Sequence, residues 1–170
     1  MWSLVAHQIE NAELLAKEGP TRPRQAALRR AVSTAYYALF QALCELTASE
    51  LVGWNKPWAA FTPVYRSFDH SHARTILSQI AVKPQFLETV EELGLAFKEL
   101  QDKREWADYS PEPHPDPNKA LAGARFSRQE AIELIELAKQ AARSLDTLDK
   151  ETRVSLAALL VSRRRKERAR

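Results

Sequence analysis

Cysteine is almost missing from this 170-residue chain. Cys44 stands alone, so no internal disulfide can form, and a reducing compartment fits best. Its neighbours Leu43 and Leu46 mark it as a small buried thiol rather than a nucleophile. Glycine is scarce as well, with four in the chain, which suits helices. There is no Gly-rich phosphate loop, no Gly-x-Ser-x-Gly elbow and no Cys-x-x-Cys. Those absences exclude P-loop nucleotide hydrolases, serine hydrolases and zinc ribbons. Long apolar runs are lacking too. The longest aliphatic stretch, 156–161, is far too short to span a bilayer. The first residues show no basic segment leading into an apolar one, so no secretory leader is expected. The expectation is a soluble cytoplasmic protein. No segment alternates apolar and polar residues, so no sheet is expected either.

What is present is helical periodicity. The spacing predicts a first helix over 3–17, stopped by Gly19-Pro20, and a second from about 23 to 51. The core line of the second reads Leu28, Val32, Ala35, Leu39, Leu43 and Leu46. Thr62-Pro63 is the expected N-cap and first turn of a third helix running to about 80, with a break near Ser71. A fourth begins at Pro84, where Phe86, Val90, Leu93, Phe97, Leu100, Arg104 and Ala107 follow steps of four and three. Pro111, Pro113, Pro115 and Pro117 then enforce an extended loop. Ser127-Arg128-Gln129-Glu130 reads as a capping box opening a fifth helix, with its seam from Ala131 to Leu148. A short amphipathic helix over 151–165 carries a basic tail. The expected class is all-α: an up-and-down bundle of four to five helices over 1–150, plus a short basic C-terminal helix over 151–170.

Charge is unevenly placed. The last eight residues hold six arginines and lysines against one glutamate, so the other 162 carry a net charge of −2 out of a total of +3. A second basic cluster, Arg22, Arg24, Arg29 and Arg30, holds no acid. Both clusters fit polyanion binding, and both fit solvated helix ends.

Arg104 is the pivotal residue because it falls in line with core positions. A guanidinium turned inward is costly unless an anion meets it. Asp108, one turn on, can pair with it, and Tyr109 can cover it. The pair either closes the end of the bundle internally or offers an arginine, oriented by Asp108, to a phosphate. On the second helix Arg30, Thr34, Tyr37 and Gln41 share a stripe that could form a polar groove wall. Tyr36 and Tyr37 cannot point the same way, so one packs inward. Arg66, Asp69 and His70 form a third group. Arg66 and His70 lie four apart and could hold a phosphate and move a proton. His72 lies on the line of Phe68, Ile76 and Ile80 and reads as a core or boundary histidine. Asp69, His70 and His72 match no metal-ligand spacing, so no metal and no cofactor are expected. Trp54, Trp58 and Trp106 could stack on bases or serve as packing anchors.

The run Arg30-Ala31-Val32-Ser33-Thr34-Ala35-Tyr36-Tyr37-Ala38-Leu39-Phe40, followed by Arg104-Glu105-Trp106-Ala107-Asp108-Tyr109, resembles the HEPN domain superfamily of prokaryotes. More narrowly, it is similar to members with an Ala-Tyr-Tyr-Ala helix and a late Arg-x-x-Ala-Asp-Tyr turn, over roughly residues 1–150. The resemblance implies a helical bundle, a homodimer, and work on RNA or nucleotides within a toxin–antitoxin or defence-type system. It implies either a binding module or a metal-independent endoribonuclease toxin paired with a small nucleotidyltransferase antitoxin. In the nuclease members an arginine is followed four to six positions later by a histidine. Here Arg104 is followed at that distance by Tyr109, and His114 is too far along. The resulting expectation names Arg66, His70 and Arg104 as catalytic candidates. The ligand-binding candidates are Arg30, Tyr37, Asp69, Arg104, Asp108 and Tyr109. A non-catalytic structural partner is the third alternative.

Overall fold

The computed structural model describes residues 2–18, 24–80, 88–111 and 125–162, together with Asp116 and Asn118. These residues form seven α-helices and no strand: α1 (Ser3–Lys17), α2 (Gln25–Leu51), α3 (Trp58–Arg66), α4 (His70–Ile80), α5 (Glu88–Tyr109), α6 (Arg128–Thr147) and α7 (Lys150–Val161). None of the described helices is long and apolar enough to cross a membrane.

The longest helix, α2, is the axis of the fold. It packs against α1, α3, α5, α6 and α7. Its core line is buried throughout, from Leu28 to Leu46. Alanines at 31, 35, 38 and 42 are also buried, and their small side chains let neighbouring helices approach from several directions. The described part of the α5 seam, from Val90 to Ala107, and the α6 seam are equally buried, apart from Arg104. Leu156 and Leu160 of α7 complete the same core.

Local signals explain the ends. Gly53 stops α2 with φ +89°, a conformation that L side chains rarely adopt, and its N–H reaches back to the Ala48 carbonyl. Ser127 caps α6, accepting from the Glu130 N–H at 3.0 Å. The Glu130 carboxylate turns instead to Lys103, at 2.6 Å. Asp149 caps α7 through the Thr152 N–H at 2.9 Å. Gly94 lets α5 lie close against α4, since a Cβ there would lie 3.1 Å from the Leu77 carbonyl oxygen.

One predicted helix becomes two. The stretch expected to run from Thr62 to about 80 starts earlier, at Trp58 behind Pro57, and places Pro63 inside α3. The break expected near Ser71 falls slightly earlier, at 67–69. The Ser67 hydroxyl bonds to the Val64 carbonyl at 2.8 Å, Phe68 turns into the core, and the Asp69 carboxylate caps a new helix by accepting from the His72 N–H at 2.8 Å. The start of the fourth predicted helix (Pro84, Phe86), most of the proline loop with His114, and the basic tail 163–170 lie outside the described residues.

Candidate functional site

Tyr36 and Tyr37 are neighbours on α2, so their side chains leave the helix about 100° apart. Tyr36 is fully buried, whereas Tyr37 lies at the edge of the core. Between them and α5 sits Arg104. Its Nη2 donates to the Tyr37 hydroxyl at 2.6 Å, and its Nε lies 2.8 Å from Asp108 Oδ2. The second contact is a charge pair without an aligned N–H···O bond. The guanidinium also lies 5.8 Å from the Tyr36 ring centre and 5.3 Å from those of Tyr37 and Tyr109. Three π faces and one carboxylate thus surround a cation whose side chain remains 17% exposed. Burial works against the charged form of Arg104, but the Tyr37 hydrogen bond and the Asp108 charge outweigh it and hold its pKa above the usual arginine value.

The Tyr36 hydroxyl meets His70 Nδ1 at 2.5 Å. His70 is the first residue of α4, and the Asp69 cap fixes where that helix begins. Its ring stacks on Phe40, with centres 3.9 Å apart and planes 22° apart. Burial, and then the nearby Arg104 charge, lower the His70 pKa, with Asp69 pulling weakly the other way. Burial raises the Tyr36 pKa well above the tyrosine range, with Arg104 opposing. The phenol therefore keeps its proton, and Nδ1 is its one hydrogen-bond partner among the described residues. The bond is best satisfied with the O–H donating to Nδ1, an assignment from the buried phenol's need for an acceptor that places the neutral His70 proton on Nε2. Protonating His70 would reverse this bond and orphan a buried O–H.

Residues singled out in the sequence divide into three groups. Arg104, Tyr37, Asp108 and Tyr109 come together, and His70 joins them through Tyr36. Asp69 serves as the α4 cap and makes no ion pair with Arg104. Arg66 is exposed at the end of α3, without an ion pair among the described residues. The break at 67–69 removes the shared face expected for Arg66 and His70, so helical spacing no longer pairs them. His72 is half-buried, with Nε2 3.3 Å from the Leu159 carbonyl oxygen. Among the described residues no three His, Cys, Asp or Glu side chains converge as a metal-ligand set.

Arg29 was grouped with the polyanion-binding arginines, but its guanidinium is spent inside the fold. It donates to the carbonyls of Ala107 (2.8 Å), Trp106 (3.2 Å) and Ser110, capping the C-terminus of α5. It thereby fixes the turn that carries Asp108 and Tyr109. Phe40 was also missed as a site residue. Its signal was available, because it lies one turn from Tyr36 on the same stripe of α2.

Beside this cluster a trough of about 700 Å³ runs between α1 and α2. Gln8, Asn11, Leu14 and Leu15 form one wall, with Glu18 at the end of α1; Arg30, Thr34 and Tyr37 form the other. Arg30 is exposed and makes no ion pair among the described residues. Tyr37 belongs to both the trough and the Arg104 cluster. Compared with known proteins, the chain matches no family model, no curated protein and no solved structure.

Proposed function

We propose that this chain is a HEPN-like helical bundle that binds RNA or a nucleotide as a homodimer, within a toxin–antitoxin or defence-type system. In this reading Arg104 takes the phosphate, Asp108 and Tyr37 orient it, and Arg30 adds a second cation. One observation carries the reading. Arg104 is held at the inner edge of the fold by a neutral phenol and a single carboxylate, and its side chain is still reachable from outside. A guanidinium oriented this way loses little freedom when it binds a phosphate.

His70 contributes as a hydrogen-bond donor. With Nδ1 occupied by Tyr36, the free nitrogen carries a proton and cannot accept one from a ribose hydroxyl. That favours binding over the alternative of a metal-independent endoribonuclease. A small nucleotidyltransferase antitoxin is the partner the resemblance suggests.

The test is fluorescence anisotropy of labelled RNAs against the purified protein over a salt series. Binding should weaken with salt, and Arg104→Ala should reduce the slope of log K against log salt by about 0.7, the value for one phosphate contact on a single strand. If Arg104→Ala lowers only the melting temperature, the arginine is an internal brace and the chain is a structural partner. If the wild type cleaves RNA in EDTA to 2′,3′-cyclic phosphate ends and His70→Ala does not, the nuclease alternative replaces this one.

A further inference from the structure

We propose that the trough between α1 and α2 seats unpaired nucleotides of a single-stranded RNA that runs between Arg104 and Arg30. This deepens the reading above and rests on it. The trough's size falls within the range of small-ligand sites. Its walls match the parts of a nucleotide. Leu14, Leu15 and the Tyr37 ring offer apolar surface for a base, while Gln8 and Asn11 offer amides for its edge. Gln8 Oε1 is buried without a hydrogen-bond partner, as an acceptor awaiting a donor would be. Glu18 would accept a ribose hydroxyl and repel a phosphate.

The two cations argue for a strand. Arg30 and Tyr37 are seven residues apart on α2, or about 10 Å along its axis. Tyr37 carries the Arg104 guanidinium at its hydroxyl. A strand laid along this face would present one phosphate to each cation. Arg104 is also set back from the surface, its side chain only 17% exposed between Tyr37 and Tyr109. A duplex holds its phosphates on a stiff outer rail and cannot push one into that recess. A flexible single strand can.

The experiment uses the full chain with four probes: a short single-stranded RNA, its duplex, an abasic strand of equal length, and AMP. Leu14→Gln is neutral and sits at a side chain 68% exposed, so the fold should survive it, as the melting temperature would verify. Wild type should prefer the base-bearing single strand over the other three. Leu14→Gln should weaken that complex about fivefold, as expected for losing the apolar contact of one half-covered aliphatic side chain, and leave abasic binding unchanged. Equal binding of the base-bearing strand by wild type and Leu14→Gln overturns the trough as the seat. Wild type that binds AMP or duplex as tightly as the strand overturns the strand assignment. Arg104→Ala separates the two levels. If it weakens RNA binding while Leu14→Gln does not, only the trough fails; if neither has an effect, the binding function fails with it.

Discussion

Two charged clusters flank α2, and they are built in opposite ways. At its C-terminal end Glu50 is an anion with a side chain only 2% exposed, gripped by both Lys150 and Arg153 of α7. Burial pushes its pKa up, but the two hydrogen bonds and two positive charges outweigh that and hold it below the usual carboxylate value. Near the middle of α2, Arg104 is a cation met by one carboxylate, a neutral phenol and three rings. Glu50 has more countercharge than it needs and is sealed. Arg104 has soft neighbours and is left accessible. An ion cluster that only ties helices together has every reason to resemble the first. The second is arranged like a site that still expects an anion.

The sharpest way to break this contrast is to remove the central charge of each cluster. Glu50→Ala leaves the partly exposed Arg153 and the exposed Lys150 without their shared anion and should destabilise the protein by about 2 kcal/mol in urea unfolding. That figure lies below the loss for a fully buried pair because both cations reach solvent, Lys150 with 75% of its side chain exposed. Correctly folded Glu50→Ala should keep its RNA affinity. Arg104→Ala should show the reverse: little change in stability, and RNA binding weaker by about 2 kcal/mol, the scale of a charged hydrogen bond. Arg104→Lys should recover little, because an ammonium cannot span Tyr37 and Asp108 as the planar fork does. Equal stability losses in Glu50→Ala and Arg104→Ala would erase the distinction between brace and site.

The difference between the clusters also marks what the sequence could tell. The seam of α5 announced Arg104, because Leu100 before it and Ala107 after it are both core positions. Asp108 followed from a single turn of helix, and the divergence of Tyr36 and Tyr37 from helical geometry alone. The Glu50 cluster was invisible because its partners lie 100 and 103 residues away, and nothing local links them. His70 was placed on the wrong scaffold. Periodicity placed the break near Ser71, behind His70, whereas Ser67 and Asp69 satisfy backbone groups with their side chains and set it at 67–69, so that His70 opens the second helix. Arg29 was misread for a related reason. Sequence shows charge, but only tertiary structure shows that a guanidinium has already been claimed by a helix end.

Arg29 allows a finer test, since it supports the open cluster without facing it. Arg29→Ala should free the last carbonyls of α5 and cost about 1 kcal/mol, with Arg29→Lys recovering part of it. If the α5 terminus positions Asp108 and Tyr109, the RNA affinity of Arg29→Ala should fall by less than that of Arg104→Ala while keeping the same salt slope. A reduced salt slope would instead mean that Arg29 contacts phosphate directly.

The smallest effect concerns pH and separates the two clusters by the window in which each loses stability. Folding lowers the His70 pKa, so between that value and the ordinary histidine pKa of about 6.5 the unfolded chain holds more protons than the folded one. The His70 contribution to stability is therefore fully present above about pH 6.5 and is lost as pH falls toward the folded pKa. Glu50 contributes in the same direction but lower down, with stability present above the unfolded carboxylate pKa of about 4.3 and lost as pH falls below it. His70→Gln keeps an acceptor for the Tyr36 hydroxyl and removes the titration. Its melting temperature should match that of the wild type near pH 7.5 and fall less steeply from pH 6.5 to 5. Should the two proteins show parallel curves over that window, His70 does not hold its proton on Nε2 against the buried phenol. Its assignment as a donor beside Arg104, rather than a base, would then be lost.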